Sequence, residues 1–323
     1  MPMETPLEVP ADTPPVTRAD IERAAERIAG RVRRTPVMHI EAGGFGAEGE
    51  LVLKLELLQH TGSFKPRGAF NRMLSASVPS VGVIAASGGN FGLAVAYAAR
   101  ETGHRAEIFV PETSPAVKAE RIRAEGAEVR LIPGYYADAL EASEERARET
   151  GALFMHAYDQ PEVVAGQGTI GMELSHQVPD ADTVLVAVGG GGLIAGIASW
   201  FTGDVRVVGV EPRTCPTLTE ALSAGAPVDV EVSGRAADSL GSRRAGDIAV
   251  ETAQRFVEQV VLVEDGAIAE AQRVLWSSCR LIAEPGGAAT LAALRSGAYR
   301  PRKAECVVVL ICGANAAIAS IVG

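Results

Sequence analysis

The chain is predicted to fold as an α/β protein whose mostly parallel sheet carries helices on both faces. Three observations predict this. Short apolar runs without polar alternation recur along the chain, as expected of strands covered on both sides. Helical patterns separate these runs. The glycines, 35 of 323 residues, cluster in turns between an apolar run and the next helix, where backbone must approach something closely.

In chain order, the proline-rich stretch 1–16 lacks an apolar core and reads as a disordered tail, not an export signal. Thr17 and Asp20 have the spacing of a capping box for a helix over 18–29. Strands are expected at 51–56, 81–86, 106–110, 128–132, 183–188, 205–210 and 306–311. Helices are expected at 91–101, 115–125, 137–150, 163–177, from about 192, at 268–281 and at 287–294. Residues 183–203 carry no charge and are long enough to span a bilayer. Four consecutive glycines would each cost about 1 kcal/mol in a helix, so the segment splits into strand, turn and helix. The uncharged stretch 306–323 splits the same way at Gly313.

Charge and cysteine usage exclude several functions. Lys plus Arg is 30 against 40 Asp plus Glu, a net charge of -10, which argues against nucleic-acid and membrane partners. The cysteines Cys215, Cys279, Cys306 and Cys312 form no metal-type pair. They are too sparse for a disulfide framework, and a cytoplasmic location is expected.

Ligands of such folds sit where strands lead into helices. Gly189, Gly190, Gly191 and Gly192 occupy one such turn and suit a phosphate at a helix N-terminus. Gly190-x-Gly192-x-x-Ala195, with Glu211 some twenty residues on, also fits a dinucleotide fingerprint. A tight turn needing no ligand is the plainer alternative. Lys65 sits between Phe64 and Pro66; a desolvated lysine has a lowered pKa and becomes a nucleophile, although an isolated lysine is usually a solvated surface residue. Ser87-Gly88-Gly89-Asn90 taken alone is a polar turn capping a helix.

Together these features resemble a known family. S-F-K-x-R-G from Ser63, S-x-G-N from Ser87, the tetraglycine with Leu193 and C-G-x-N from Cys312 occur in the order found in fold type II pyridoxal-phosphate enzymes. The serine/threonine dehydratase and serine racemase branch is the most similar. Arg34–Val37 (RTPV), 165–170 (AGQGTI) and 283–285 (AEP) extend the resemblance. It implies a two-lobe, three-layer α/β/α sandwich like the tryptophan synthase β chain. Residues 82–157 would form a small domain inserted into a large one made of 1–81 and 158–323.

The resemblance further implies pyridoxal 5'-phosphate in Schiff-base linkage to Lys65, which then moves the Cα proton of the substrate. Phe64 would pack on the cofactor ring, Asn90 bond its 3-hydroxyl, Gly189–Gly192 hold its phosphate and Cys312 face its nitrogen. The loop from Ser87 through Gly88 and Phe91 to Gly92 would receive the substrate carboxylate, with Ser63 and Tyr158 lining the substrate side. The implied activity is that of an ammonia-lyase acting on a small β-hydroxy L-amino acid such as threonine or serine, in a homodimer. Racemisation, β-replacement, a rarer hydroxy amino acid and a non-catalytic sensor are the alternatives. Three departures narrow this. Gly88 replaces the second serine of the racemases, Phe91 replaces a frequent histidine, and Glu211 lacks the usual acidic companion, which falls on Thr217. The last leaves two alternatives: the branch's cation site is lost, or Glu211 is one ligand of a site for a monovalent or divalent cation.

Overall fold

The computed structural model describes residues 14–41, 43–46, 49–317 and 321. Most of the expected N-terminal tail, and most of the helix expected after Gly313, lie outside the described residues. The elements are α1 (Arg18–Ile28), β1 (Val37–Ile40), β2 (Leu51–Lys54), α2 (Pro66–Leu74), β3 (Val83–Ala86), α3 (Asn90–Thr102), β4 (Ala106–Pro111) and α4 (Ala116–Ala124). There follow β5 (Glu128–Ile132), α5 (Tyr136–Thr150), β6 (Leu153–Phe154), α6 (Pro161–Gln177), β7 (Thr183–Ala187), α7 (Gly192–Phe201) and β8 (Arg206–Pro212). The chain continues with α8 (Thr217–Ala224), α9 (Ala237–Leu240), α10 (Asp247–Phe256), β9 (Val257–Val263), α11 (Asp265–Cys279), α12 (Pro285–Ser296) and β10 (Val307–Leu310).

Two sheets result. The larger runs β1-β2-β10-β7-β8-β9 and is parallel except where β1 meets β2. The smaller runs β5-β4-β3-β6 and is parallel throughout. Every residue of β2, β7, β10 and β3 is buried, which explains their apolar runs, interrupted only at Lys54 and Thr183. Residues 183–203 divide into β7, turn and α7 as the glycines require, and no helix of the described residues is long and apolar enough to cross a membrane.

Some elements depart from expectation. Val16, within the expected tail, is buried beside Ile21, Val164 and Ala195. It packs ahead of the capping box as a hydrophobic staple, while Thr17 and Asp20 exchange bonds of 2.9 and 3.2 Å. The strand expected from 81 starts at Val83, because Val81 is exposed and Gly82 turns at φ +97°. β1 and β9 are edge strands with partly exposed residues, so they lack the apolar run that marks the central strands.

Small residues bring α2, α6 and α7 together. A Cβ on Gly166 would lie 2.6 Å from the Arg67 carbonyl, and one on Gly196 would lie 2.5 Å from the Gly168 amide nitrogen. Larger side chains would force these helices apart, and this accounts for the glycines of the 165–170 motif. Beneath α2 lies a buried charge network. Arg67 donates to both oxygens of Glu56, at 2.9 and 2.7 Å, and to Glu173 at 2.7 Å. Lys54 donates to Glu173 at 2.6 Å and to the Thr35 carbonyl at 2.9 Å. Burial of such charges is tolerated only with full pairing, so the network fixes the N-terminus of α2 against the large sheet. On its other face α2 gives Phe70 and Met73 to the core under the small sheet, beside Val95 and Ile108.

Candidate active site

Lys65 immediately precedes α2, with Pro66 at the first helical position, where a missing N–H costs nothing. The residue before it is fixed by the Phe64 amide, which donates to the Cys312 carbonyl at 3.1 Å. Ser63 forms an isolated antiparallel bridge with Gly313. The lysine segment and the end of β10 are thus one unit. Nζ of Lys65 donates to the Ala157 carbonyl at 2.9 Å and lies 5.1 Å from the centre of the Phe64 ring and 5.6 Å from that of Phe91. Burial lowers its pKa to about 8, opposed by Cys312 and Glu284. Burial pushes the Cys312 thiol far up, so it stays neutral.

The tetraglycine turn joins β7 to α7. Val188 is tied to the Val210 carbonyl at 2.9 Å, and among the described residues the N–H groups of Gly189, Gly190 and Gly191 have no acceptor. Gly191 has φ +92°, a conformation that favours glycine. Gly190 and Gly192 are bare for another reason. A Cβ on Gly190 would stand 2.5 Å from Cε1 of Tyr158, and one on Gly192 would stand 2.9 Å from its Cα. Tyr158 seats on the turn and is held by Ser242, which donates to its hydroxyl at 3.0 Å, and by the Arg244 carbonyl at 3.2 Å.

Asn90 opens α3. Its amide nitrogen donates to Glu284 at 2.6 Å, and its oxygen accepts from Asn315 at 2.8 Å. Asn315 also donates to the Thr61 carbonyl at 2.8 Å. Burial raises the Glu284 carboxyl to about 7, partly offset by the Asn90 bond. Ser87 closes β3, and its hydroxyl accepts from the Gly89 amide at 3.2 Å.

These parts surround a cavity of about 530 Å³ between the two sheets. Phe64, Lys65, Ser87, Gly88, Asn90, Phe91, Tyr158, the four glycines and Cys312 all line it. Two expected substrate residues do not. Gly92 packs on Ile108, where its Cβ would fall 3.1 Å from Cγ2. Ser63 is wholly buried, its hydroxyl without a partner among the described residues. Glu211 is also elsewhere: its carboxylate accepts from the Leu218 amide at 2.6 Å and the Thr219 amide at 2.9 Å, capping α8. No group of three or more metal-type side chains occurs among the described residues. Sequence reasoning missed Ser114, Tyr136, the Ala157 carbonyl and Ser239, all on the cavity wall; Ser114 and Ala157 lie in connecting segments, Tyr136 opens α5 and Ser239 sits in the short α9, and none belongs to a motif.

The residues present fit pyridoxal phosphate. Three backbone N–H groups without acceptors lie at the N-terminus of α7, a site for a phosphate. A desolvated amine stands at the opposite wall among aromatic rings. The family model for pyridoxal-phosphate dependent enzymes matches residues 28–313. The chain belongs to that family. Its place is the serine/threonine dehydratase branch of fold type II, and its cofactor is pyridoxal 5'-phosphate. It is 36% identical over 305 residues to an L-threonine ammonia-lyase of Thermotoga maritima, covering 93% of this chain and 76% of that one. It is 34% identical over 316 residues to a catabolic L-threonine dehydratase of Staphylococcus aureus, covering 95% and 91%. Among solved structures, maize serine racemase superposes with a TM-score of 0.89 at 30% identity, covering 95% of each chain. The dinucleotide alternative is thereby set aside: it leaves Lys65 and the Ser87–Asn90 loop unexplained.

Proposed function

We propose that this lyase eliminates the β-hydroxyl of L-threonine or L-serine and releases ammonia and a 2-oxo acid. The observation that carries the reading is the amine of Lys65, desolvated in a cavity between a phosphate cradle and a polar helix N-terminus. The relatives named for threonine deamination support the substrate class.

Bound here, pyridoxal phosphate supplies the electron-withdrawing ring that makes the Cα–H bond of an attached amino acid acidic. The N–H groups of Gly189, Gly190 and Gly191 would hold its phosphate, and Phe64 would pack against its ring. Asn90, oriented by Glu284 and Asn315, bonds the ring hydroxyl. The Ser87–Asn90 turn at the head of α3 takes the substrate carboxylate, where backbone N–H groups and the helix dipole favour an anion. Lys65 takes the Cα proton. The freed electron pair forms the Cα–Cβ double bond, the Cβ–O bond breaks, and the hydroxyl leaves with a proton as water. The released enamine tautomerises, a proton moving from its nitrogen to Cβ, and water hydrolyses the resulting imine to ammonia and the oxo acid. Cys312, a neutral thiol, adds no charge behind the ring and so favours prompt expulsion of a β-substituent. Phe91 and Tyr158 restrict the side-chain space. Residues 82–157 form the inserted small domain, although its core borrows Phe70 and Met73 from outside that range. Two copies form the working enzyme.

The test is product analysis. Holoenzyme with L-threonine should form 2-oxobutanoate and ammonia, and with L-serine pyruvate. Lys65→Ala should form neither. Wild-type protein carrying its cofactor but yielding no oxo acid from either substrate would sink the reading. Light scattering tests the dimer.

A further inference from the structure

Gly88 has no side chain, and the reason is visible across the cavity. A Cβ built on Gly88 would fall 2.9 Å from Cβ of Ser114, closer still to its hydroxyl, and 3.2 Å from Cγ1 of Val110. Real carbon contacts are about 3.5–4.0 Å, so Ser114 occupies the volume that a residue-88 side chain would fill. Ser114 follows β4 in the turn Pro111–Pro115, whose backbone is closed by the Ser114 amide on the Pro111 carbonyl at 2.9 Å. It lines the cavity beside Gly88, Gly89 and Asn90. Among the described residues its hydroxyl makes no hydrogen bond. The turn that carries it leads into α4, where Lys118 pairs with Asp238 of α9 on the facing wall of the cavity, so the small-sheet turn is tied across the opening. Ser87 is placed differently: its hydroxyl already accepts from the Gly89 amide.

We propose that Ser114 is a substrate-binding residue, its hydroxyl donating to the α-carboxylate held on the Ser87–Asn90 turn, and that Gly88 is bare in order to admit it. This rests on the proposed placement of the carboxylate at that turn. The hydroxyl that one turn lacks is supplied by another turn, from β4 instead of β3.

The test uses holoenzyme and two readouts, steady-state deamination of L-threonine and calorimetric binding of L-alanine, which has no β-leaving group. A hydrogen bond to a charged group predicts roughly a ten- to hundredfold loss of affinity when removed. Ser114→Ala should therefore raise KM and the L-alanine Kd by at least about tenfold, with kcat falling much less and cofactor content unchanged. Ser114→Thr keeps the hydroxyl and should bind close to wild type. Gly88→Ser alone should clash and bind poorly, whereas Gly88→Ser with Ser114→Gly moves the hydroxyl across the gap and should regain affinity. Wild-type L-alanine affinity in Ser114→Ala, or a double variant no better than Gly88→Ser, overturns the proposal. If wild-type enzyme deaminates no hydroxy amino acid, the functional reading fails, and the L-alanine series still decides the role of Ser114.

Discussion

Gly190→Ala is the sharpest probe of how the phosphate turn is built. Gly190 does not have positive φ, so its backbone accepts alanine and the substitution tests packing alone. The new methyl would stand 2.5 Å from Cε1 of Tyr158 and nearer to two other ring carbons, so the ring must retreat by about 1 Å to reach ordinary contact. It has little room. The Tyr158 backbone abuts Gly192, and its hydroxyl is bound to Ser242 at 3.0 Å and to the Arg244 carbonyl at 3.2 Å. Overpacking of this kind costs about 1–3 kcal/mol, and each hydrogen bond surrendered adds about 1 kcal/mol. The expected destabilisation is about 2–4 kcal/mol. Denaturant unfolding of the cofactor-free protein reads it as a fall in midpoint at constant slope. In a Tyr158→Ala background the same change should cost less than about 0.5 kcal/mol, the difference being the coupling energy. Gly191→Ala is the control: at φ +92° it carries backbone strain that removing Tyr158 does not relieve. A loss in Gly190→Ala that is equal in both backgrounds, or absent in the parent, would refute the packing argument.

The desolvated amine of Lys65 and the charge network give two further predictions. Burial lowers Lys65 from the ordinary lysine value of 10.5 to about 8, so its reactive, unprotonated form dominates above pH 8. The rate of reconstitution with pyridoxal phosphate, followed by visible absorbance, should rise with a midpoint near pH 8; a midpoint above 10 would show an ordinary solvated lysine. Glu56→Gln removes one of the two carboxylates paired with Arg67, Glu173 being the other, and leaves a net buried positive charge on Arg67 and Lys54. Removing one partner of a buried pair costs about 3–5 kcal/mol, read by denaturant unfolding, and cofactor affinity should fall with it, because Arg67 anchors the helix that follows Lys65.

Much of this was legible in the sequence where burial on both faces leaves a plain mark. β3, β4, β7 and β10 fall where apolar runs predict them, to within a few residues, and β5 falls where it is expected although it is a partly exposed edge strand. β9 was not legible, because Glu258 and Gln259 interrupt it at the sheet edge. Nor was α2 marked out as a helix: Arg67 and Asn71 are buried within it, so polar residues stand where an apolar face is expected. The ordered motifs located Lys65, Asn90 and the tetraglycine, which line one cavity. They did not locate Ser114 or the Ala157 carbonyl, since a residue that matters only by its position across a cavity leaves no local pattern. Glu211 shows the converse. Its place near the end of β8 reads as that of a ligand, while its capping of the first turn of α8 leaves no mark in the sequence.

Glycines in a ligand-binding turn are usually explained by the ligand, whose approach leaves no room for a side chain. In this chain that holds for neither Gly190 nor Gly88. At both positions the space a Cβ would need is taken by a side chain from another element, Tyr158 in one case and Ser114 in the other. Both intruders also line the cavity. The missing side chains are therefore exchanged, not simply removed: a short turn keeps its backbone N–H groups open to an anion while a residue from a neighbouring segment sets the shape and polarity of the wall. Tyr158 comes from the segment between β6 and α6, and Ser114 from the turn after β4. The chemistry-bearing turns can thus stay nearly bare while selectivity is set by residues outside the motifs. Substitutions at Ser114 should consequently weaken binding of every amino acid alike, and substitutions at Tyr158 should alter which side chain is accepted, each more than whether the cofactor is held.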